Sequence, residues 1–70
     1  MPISARELLA KRVRELRLEK DWSQEDLAAA SGLHRTYIGT VERAEQSITV
    51  DSIDKLADAL EVPISELFIE

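Results

Sequence analysis

The chain has 70 residues, of which 44% are hydrophobic, and nine basic against fourteen acidic side chains give it a net charge of −5. The lack of cysteine excludes disulfides and cysteine-based zinc sites, and no apolar run approaches the ~20 residues that span a bilayer. Only two Gly and two Pro, together with the apolar content, argue against disorder. We therefore expect one soluble cytoplasmic domain over residues 1–70, with no membrane segment.

The acidic side chains are concentrated in the second part of the chain. Residues 1–43 carry eight basic and seven acidic side chains, whereas residues 44–70 carry one basic and seven acidic ones. Because like charges repel, an anionic partner is expected to meet the first part of the chain.

The first helix is predicted to begin at a capping box, since Ser4 and Glu7 have the Ser-x-x-Glu spacing of that motif. Asp21 is expected to end it, because Asp tolerates a positive φ better than most residues. The apolar stripe of this helix follows the i, i+4, i+7 pattern and consists of Leu9, Val13 and Leu16.

The rest of the chain also reads as short helices joined by turns. Ser23 is predicted to cap a second helix, with Asp26 at its third position, and Gly32 to end it in the left-handed conformation. A third helix is expected from about residue 34 to residue 43. Thr49 is predicted to cap a fourth helix, and a short fifth one follows Pro63. The predicted fold class is all-α, with five helices in one domain.

The second and third predicted helices, with the turn between them, form a helix-turn-helix unit, whose second helix enters the major groove in DNA-binding proteins. On the polar side of that helix, Arg35 can donate two hydrogen bonds to guanine, and Thr36 and Thr40 offer hydroxyl and methyl groups to bases. Gly39 lacks a side chain where the helix would come closest to DNA, and Arg43 can meet a phosphate. The alternative is a solvated face on which Gly39 relieves a helix–helix contact.

Four stretches carry a resemblance to a known family: Arg14-Glu15-Leu16-Arg17, Trp22-Ser23-Gln24-Glu25-Asp26-Leu27-Ala28, Ser31-Gly32-Leu33-His34-Arg35-Thr36-Tyr37-Ile38 and Val41-Glu42-Arg43. From about residue 9 to residue 68 the chain resembles the lambda-repressor/Cro-type (XRE) helix-turn-helix domain. Residues 32–38 and 41–43 are most similar to the small dimeric controller proteins of restriction–modification systems. The resemblance implies a compact five-helix, lambda-repressor-like fold.

The resemblance also implies roles on DNA for matching positions. Gln24 would contact a phosphate and brace the start of the third helix, or else be a solvent-facing first residue of the second helix. Arg35, Thr36 and Thr40 would read bases, and Arg43 would touch the backbone. Two positions have a structural role as the alternative to a DNA contact. Tyr37 would touch the DNA backbone or only pack on the core, and His34 would reach a base or only cap the third helix.

Other matching positions have structural roles in this family. Arg17 and Glu42 match a pair that forms an internal salt bridge between the first and third helices. Family members dimerise through the fifth helix and nearby residues. The implied interface residues are Ile64, Leu67 and Phe68, with closure of the monomer core as the alternative role.

The sequence departs from the family after the third helix. Ala44 stands where the family usually has a left-handed Gly, so either this turn costs about 1 kcal/mol or its geometry differs. Glu45 and Gln46 add a negative charge to a loop that is often basic or polar in relatives. Both departures predict weak non-specific DNA binding with a modest salt dependence.

Catalysis is poorly supported, because a chain with one His and no Cys cannot build a Ser/His/Asp or Cys/His triad. No second His or Cys is present to bind a metal ion together with His34, and no cofactor motif is present. The first hypothesis is a homodimeric transcription regulator that reads an inverted repeat in double-stranded DNA, with RNA polymerase as a further candidate partner. The second is a protein-interaction module, such as an antitoxin or adaptor. That module would use an acidic stripe on the fourth helix, otherwise a plain solvated surface, formed by Asp51, Asp54, Asp58 and Glu61.

Overall fold

The computed structural model describes residues 3–70 and is all-α, with no strand in that range. It contains four α-helices and one 3₁₀ helix: α1 (Ala5–Glu19), α2 (Gln24–Ser31), α3 (Arg35–Glu42), α4 (Val50–Leu60) and the 3₁₀ helix (Ile64–Phe68). The expected count of five helices is therefore correct only if the last element, which is not an α-helix, is included. It has five residues and its Pro63 carbonyl accepts from the Glu66 N–H three positions on, because so short a segment does not sustain α-helical hydrogen bonds.

The helices begin at the residues that the sequence indicates. Ser4 and Ser23 each form a complete capping box, with Glu7 and Asp26 as the respective third-position partners. The Thr49 hydroxyl accepts from the third residue of α4. Each cap satisfies N–H groups that would otherwise lack an intrahelical partner.

One apolar core lies between all five elements. Val13 of α1, Leu27 of α2, Ile38 of α3 and Leu56 of α4 are fully buried, and Leu67 of the 3₁₀ helix is buried with them. Arg12 ties α1 to the 3₁₀ helix at its edge, where its Nε donates to the Glu66 carbonyl at 2.9 Å. The packing fixes the angle at which α2 and α3 present their outer faces.

Three helices end with a left-handed residue other than glycine. Asp21, Ala44 and Glu61 have φ values of 57°, 57° and 60°, and Gly32 has a φ of 76° after α2. At each of the first three, two N–H groups turn back to helix carbonyls, as in a Schellman motif; after α3 they are Ala44 to Val41 and Glu45 to Thr40. Ala44 therefore keeps the left-handed geometry and carries its strain.

Within residues 3–70, the longest helix has 15 residues, and none is both long and apolar enough to cross a bilayer.

Candidate nucleic-acid interface

The candidate interface is the outer face of α3 together with the start of α2. Ile38 and Val41 lie on the opposite side of α3 and are buried in the core, so the polar residues of α3 lie on the surface. This exposed face meets the first residues of α2 across an open hollow lined by Gln24, Glu25, Arg35, Thr36, Gly39 and Arg43. The helix-turn-helix unit thus brings together most of the residues that the sequence predicts for DNA contact.

Arg35 lies at the start of α3 with two thirds of its side chain exposed. Its Nη1 donates to Oε1 of Glu25, on α2, at 2.9 Å. Glu25 is also 70% exposed, so the pair stands on the surface of the hollow. The sequence predicted the exposed position of Arg35 but not its carboxylate partner.

Arg43 folds back along α3 onto Gly39. A Cβ on Gly39 would lie 3.0 Å from Nη1 of Arg43, so the guanidinium occupies the space that the missing side chain leaves. Nε of Arg43 lies 3.0 Å from Oε1 of Glu45. Gly39 is therefore covered by an arginine in the free protein, and the close approach to DNA expected of it requires Arg43 to move or to share the contact.

The other predicted base-reading residues are partly engaged within the helix. The Thr40 hydroxyl donates to the Tyr37 carbonyl at 2.8 Å, which leaves its methyl group as the part suited to a base contact. Nδ1 of His34 accepts from the Thr36 N–H at 3.0 Å and so caps α3. His34 is exposed, and its Nε2 is the nitrogen that a base contact would use. Thr36 is exposed beside it.

Gln24 braces a different part of α3 from the one expected. Its Nε2 donates to Oε1 of Glu42 at 3.2 Å, at the end of α3 rather than its start. The start of α3 is contacted instead by the neighbouring residue, Glu25, which accepts from Arg35, the first residue of α3. Gln24 is half-buried and still lines the hollow.

Arg17 and Glu42 form a two-pronged ion pair beneath the hollow. Nε and Nη2 of Arg17 donate to the two carboxylate oxygens at 2.7 and 2.9 Å, and Nη1 donates to the Trp22 carbonyl at 2.7 Å. The side chains are 10% and 4% exposed. The hydrogen bond to Glu42 raises the pKa of Arg17. The pair fixes α1 against α3, as the family resemblance implied, and each of the three guanidinium nitrogens of Arg17 donates one hydrogen bond.

Tyr37 packs, half-buried, against the apolar core. This packing is the alternative that the sequence left open. A contact between its hydroxyl and a DNA backbone remains a prediction.

The three predicted dimer residues lie in different environments. Leu67 is 0% exposed in the single chain, so it closes the monomer core and has no surface to offer a second copy. Ile64 is 46% exposed, and Phe68 is half-buried at the edge of an apolar hollow between α1 and α4. The predicted interface therefore rests on Ile64 and Phe68.

The acidic stripe on α4 faces solvent along its length. Its four carboxylates, Asp51, Asp54, Asp58 and Glu61, are exposed. Glu61 accepts from Nζ of Lys20 at 2.8 Å, and this hydrogen bond lowers the pKa of Glu61. Among residues 3–70, no cluster of three or more His, Asp or Glu side chains is arranged to hold a metal ion.

The chain matches the helix-turn-helix family model over residues 13–67. It is 48% identical over 62 residues to control protein C.SmaI of Serratia marcescens, covering 89% of this chain and 74% of that protein. Its fold is similar to the crystal structure of the restriction–modification controller protein C.AhdI from Aeromonas hydrophila. That comparison gives a TM-score of 0.86 at 46% identity and covers 90% of this chain and 96% of the other.

A second similar structure is that of a complex with an operator site. C.Esp1396I bound to a 25-base-pair operator site has a TM-score of 0.84 to this chain at 34% identity, covering 96% of this chain and 88% of that one. The similarity extends over both helices that line the hollow.

Proposed function

Since the chain belongs to the helix-turn-helix family, and a restriction–modification controller protein is among the structures similar to it, we propose that it is a sequence-specific DNA-binding transcription regulator. The observation that carries the proposal is the exposed polar face of α3, presented as the second helix of the helix-turn-helix unit. The operator complex of C.Esp1396I, a similar chain, supports it.

The regulator binds as a homodimer and reads an inverted repeat in the cytoplasm, with one copy of α3 in each of two successive major grooves. Arg35, Thr36 and Thr40 read bases, with His34 at the edge of the footprint. Gln24, Tyr37 and Arg43 contact the backbone. Arg35 and Thr36 can donate hydrogen bonds to base edges, the Thr40 methyl group can pack on a base, and the positive charge of Arg43 is attracted to phosphates. RNA polymerase is a further partner of the bound dimer, and no step of this function is catalytic.

Selection of duplex DNA by the purified protein at low salt tests the proposal. We expect an enriched inverted repeat with half-sites about 10 base pairs apart. Arg35→Ala is expected to cost about 1–3 kcal/mol of binding free energy and to relax the preference at one base pair. Arg43→Ala is expected to weaken all sequences similarly and to reduce the salt slope by about one.

Lys55→Ala is the matched control, because it removes the same charge from α4, away from the recognition face. It should leave the selected sequence unchanged. If the wild type enriches no sequence, the alternative is a protein-interaction module, which the exposed acidic stripe on α4 favours.

A further inference from the structure

The ion pair between Glu25 and Arg35 is placed where it does little for the fold. The side chains of Arg35 and Glu25 are 66% and 70% exposed, and exposed ion pairs are screened by water and contribute little to stability. Yet the pair joins α2 to α3 on the predicted DNA-binding face, where both residues line the hollow. Its position points to a role in binding.

The geometry of the pair leaves the reading edge of Arg35 available. Among the contacts of residues 3–70, Nη1 is the guanidinium nitrogen that hydrogen-bonds, and its acceptor is Oε1 of Glu25. Nε and Nη2 retain their N–H groups. Guanine is read by two parallel N–H donors on O6 and N7, which these two nitrogens can supply. Glu25 therefore restrains the side chain without occupying that edge.

The charges of the pair act differently on phosphates and on bases. An unrestrained arginine on this face is attracted to any phosphate, whatever the sequence. When Arg35 pairs with Glu25, the pair has no net charge, so the attraction of Arg35 to phosphates is reduced. Its free hydrogen-bond donors remain. If a base pulled Arg35 out of the ion pair, the Glu25 carboxylate would be left unpaired beside the negatively charged DNA backbone. The repulsion between the two negative charges makes that arrangement unfavourable.

We propose that Glu25 is a specificity-determining positioning residue, which holds Arg35 in place to read guanine and suppresses its binding to phosphates. The inference rests on the proposed function, because it requires that α3 reads DNA. Glu25 itself need touch no base, since it acts through the orientation and the charge of Arg35.

Glu25→Gln is the direct test, because it keeps the shape of the side chain and removes the charge. The capping box of α2 is made by Ser23 and Asp26 and is unaffected. We expect affinity for unrelated DNA to rise and the salt slope to steepen by about one. The preference for the base pair read by Arg35, about 5- to 150-fold for a two-pronged contact, should fall towards that of Arg35→Ala. Glu25→Asp should restore part of it.

Glu45→Gln is the matched control, since Glu45 pairs with Arg43 on the same face at 3.0 Å. It removes an equal charge, so it should also raise affinity for unrelated DNA. The preference at the base pair read by Arg35 should not change. An identical loss of that preference in both variants would show a general charge effect and overturn the proposal.

The double variant Glu25→Gln/Arg35→Ala completes the test, because a residue that acts through Arg35 has no effect once Arg35 is gone. We expect its base preferences to equal those of Arg35→Ala. A further loss at another base pair would mean that Glu25 reads a base itself and would overturn the positioning role.

Two outcomes distinguish this inference from the proposed function. If the wild type selects a site and Glu25→Gln keeps the same base preference, only this inference is overturned. If the wild type selects no site, the proposed function and this inference are both overturned.

Discussion

Glu42 is a buried carboxylate held by hydrogen bonds from two other helices. It accepts from two nitrogens of Arg17 and from Gln24, and its side chain is 4% exposed. Burial of a carboxylate is tolerated here because each oxygen has charged or polar donors. The same carboxylate therefore joins α1, the start of α2 and the end of α3, the three segments that set the position of the recognition face.

Glu42→Ala is expected to lower the free energy of unfolding by about 3–5 kcal/mol, because it leaves the Arg17 guanidinium buried without its counter-charge. A domain of this length has a total of only about 4–10 kcal/mol, so the variant should lose a large part of its stability. Urea unfolding followed by circular dichroism measures the change. Arg17→Met/Glu42→Leu, which removes both charges, should recover most of the loss. If both variants were equally unstable, packing and not charge would explain the result.

At the level of single residues, the sequence predicted which side chains are exposed better than it predicted their partners. The helical period alone places Arg35 and Thr36 on the outer face of α3. The contact between Arg35 and Glu25 joins residues ten positions apart and depends on the angle between two helices, which the sequence pattern does not contain. The contact of Gln24 with the end of α3 was missed for the same reason.

At the scale of the helix, beginnings were more predictable than ends. Caps at Ser4, Ser23 and Thr49 use side chains whose chemistry is visible in the sequence. Helix ends depend on one residue that adopts a positive φ. Gly32 and Asp21 are residue types that favour this conformation, so the sequence predicted both ends. Glu61 was missed because glutamate carries no such preference, and its φ of 60° is held by the Schellman hydrogen bonds after α4.

Ala44→Gly is expected to stabilise the protein by about 1 kcal/mol, because glycine adopts the left-handed conformation without the steric cost that alanine has at a φ of 57°. For a domain of this size the gain corresponds to a rise in Tm of about 4–8 °C, which thermal unfolding measures. Ala29→Gly, at an exposed position inside α2, is the control and should destabilise by about 1 kcal/mol. A lower Tm for Ala44→Gly would contradict the strain assigned to this turn.

The first turn of α1 should make stability depend on pH. Hydrogen bonds from the backbone N–H and then the hydroxyl of Ser4 hold the pKa of Glu7 below its usual range. A carboxyl with a lowered folded-state pKa stabilises the fold above its unfolded pKa of about 4.3, and that contribution is lost as the pH falls through the folded value. Wild type should therefore unfold at higher urea than Glu7→Gln at neutral pH, and this difference should shrink in acid. A difference that stays constant with pH would show that the Glu7 charge does not stabilise the helix.

At the scale of the molecule, the fold separates the charges that the sequence distributes unevenly. The α2–α3 face carries two exposed arginines, Arg35 and Arg43, while the acidic stripe lies on α4 and faces solvent. Fold class and the helix-turn-helix unit followed from the sequence because helical periodicity and caps are local signals. The full burial of Leu67 did not, since a short apolar segment at the end of a chain can pack on its own core or on a partner.

Ile64→Asp tests the predicted homodimer, because Ile64 is 46% exposed and can be changed with little effect on the core. We expect a monomer in sedimentation and a loss of affinity for the inverted repeat, since each half-site contact would then form separately. Phe68→Asp should act likewise, but Phe68 is half-buried, so its folding must be checked by circular dichroism. Lys55→Asp also introduces an aspartate at an exposed position, but on α4. It should leave the oligomeric state intact if the interface is confined to the 3₁₀ helix. An Ile64→Asp protein that still sediments as a dimer would move the interface elsewhere.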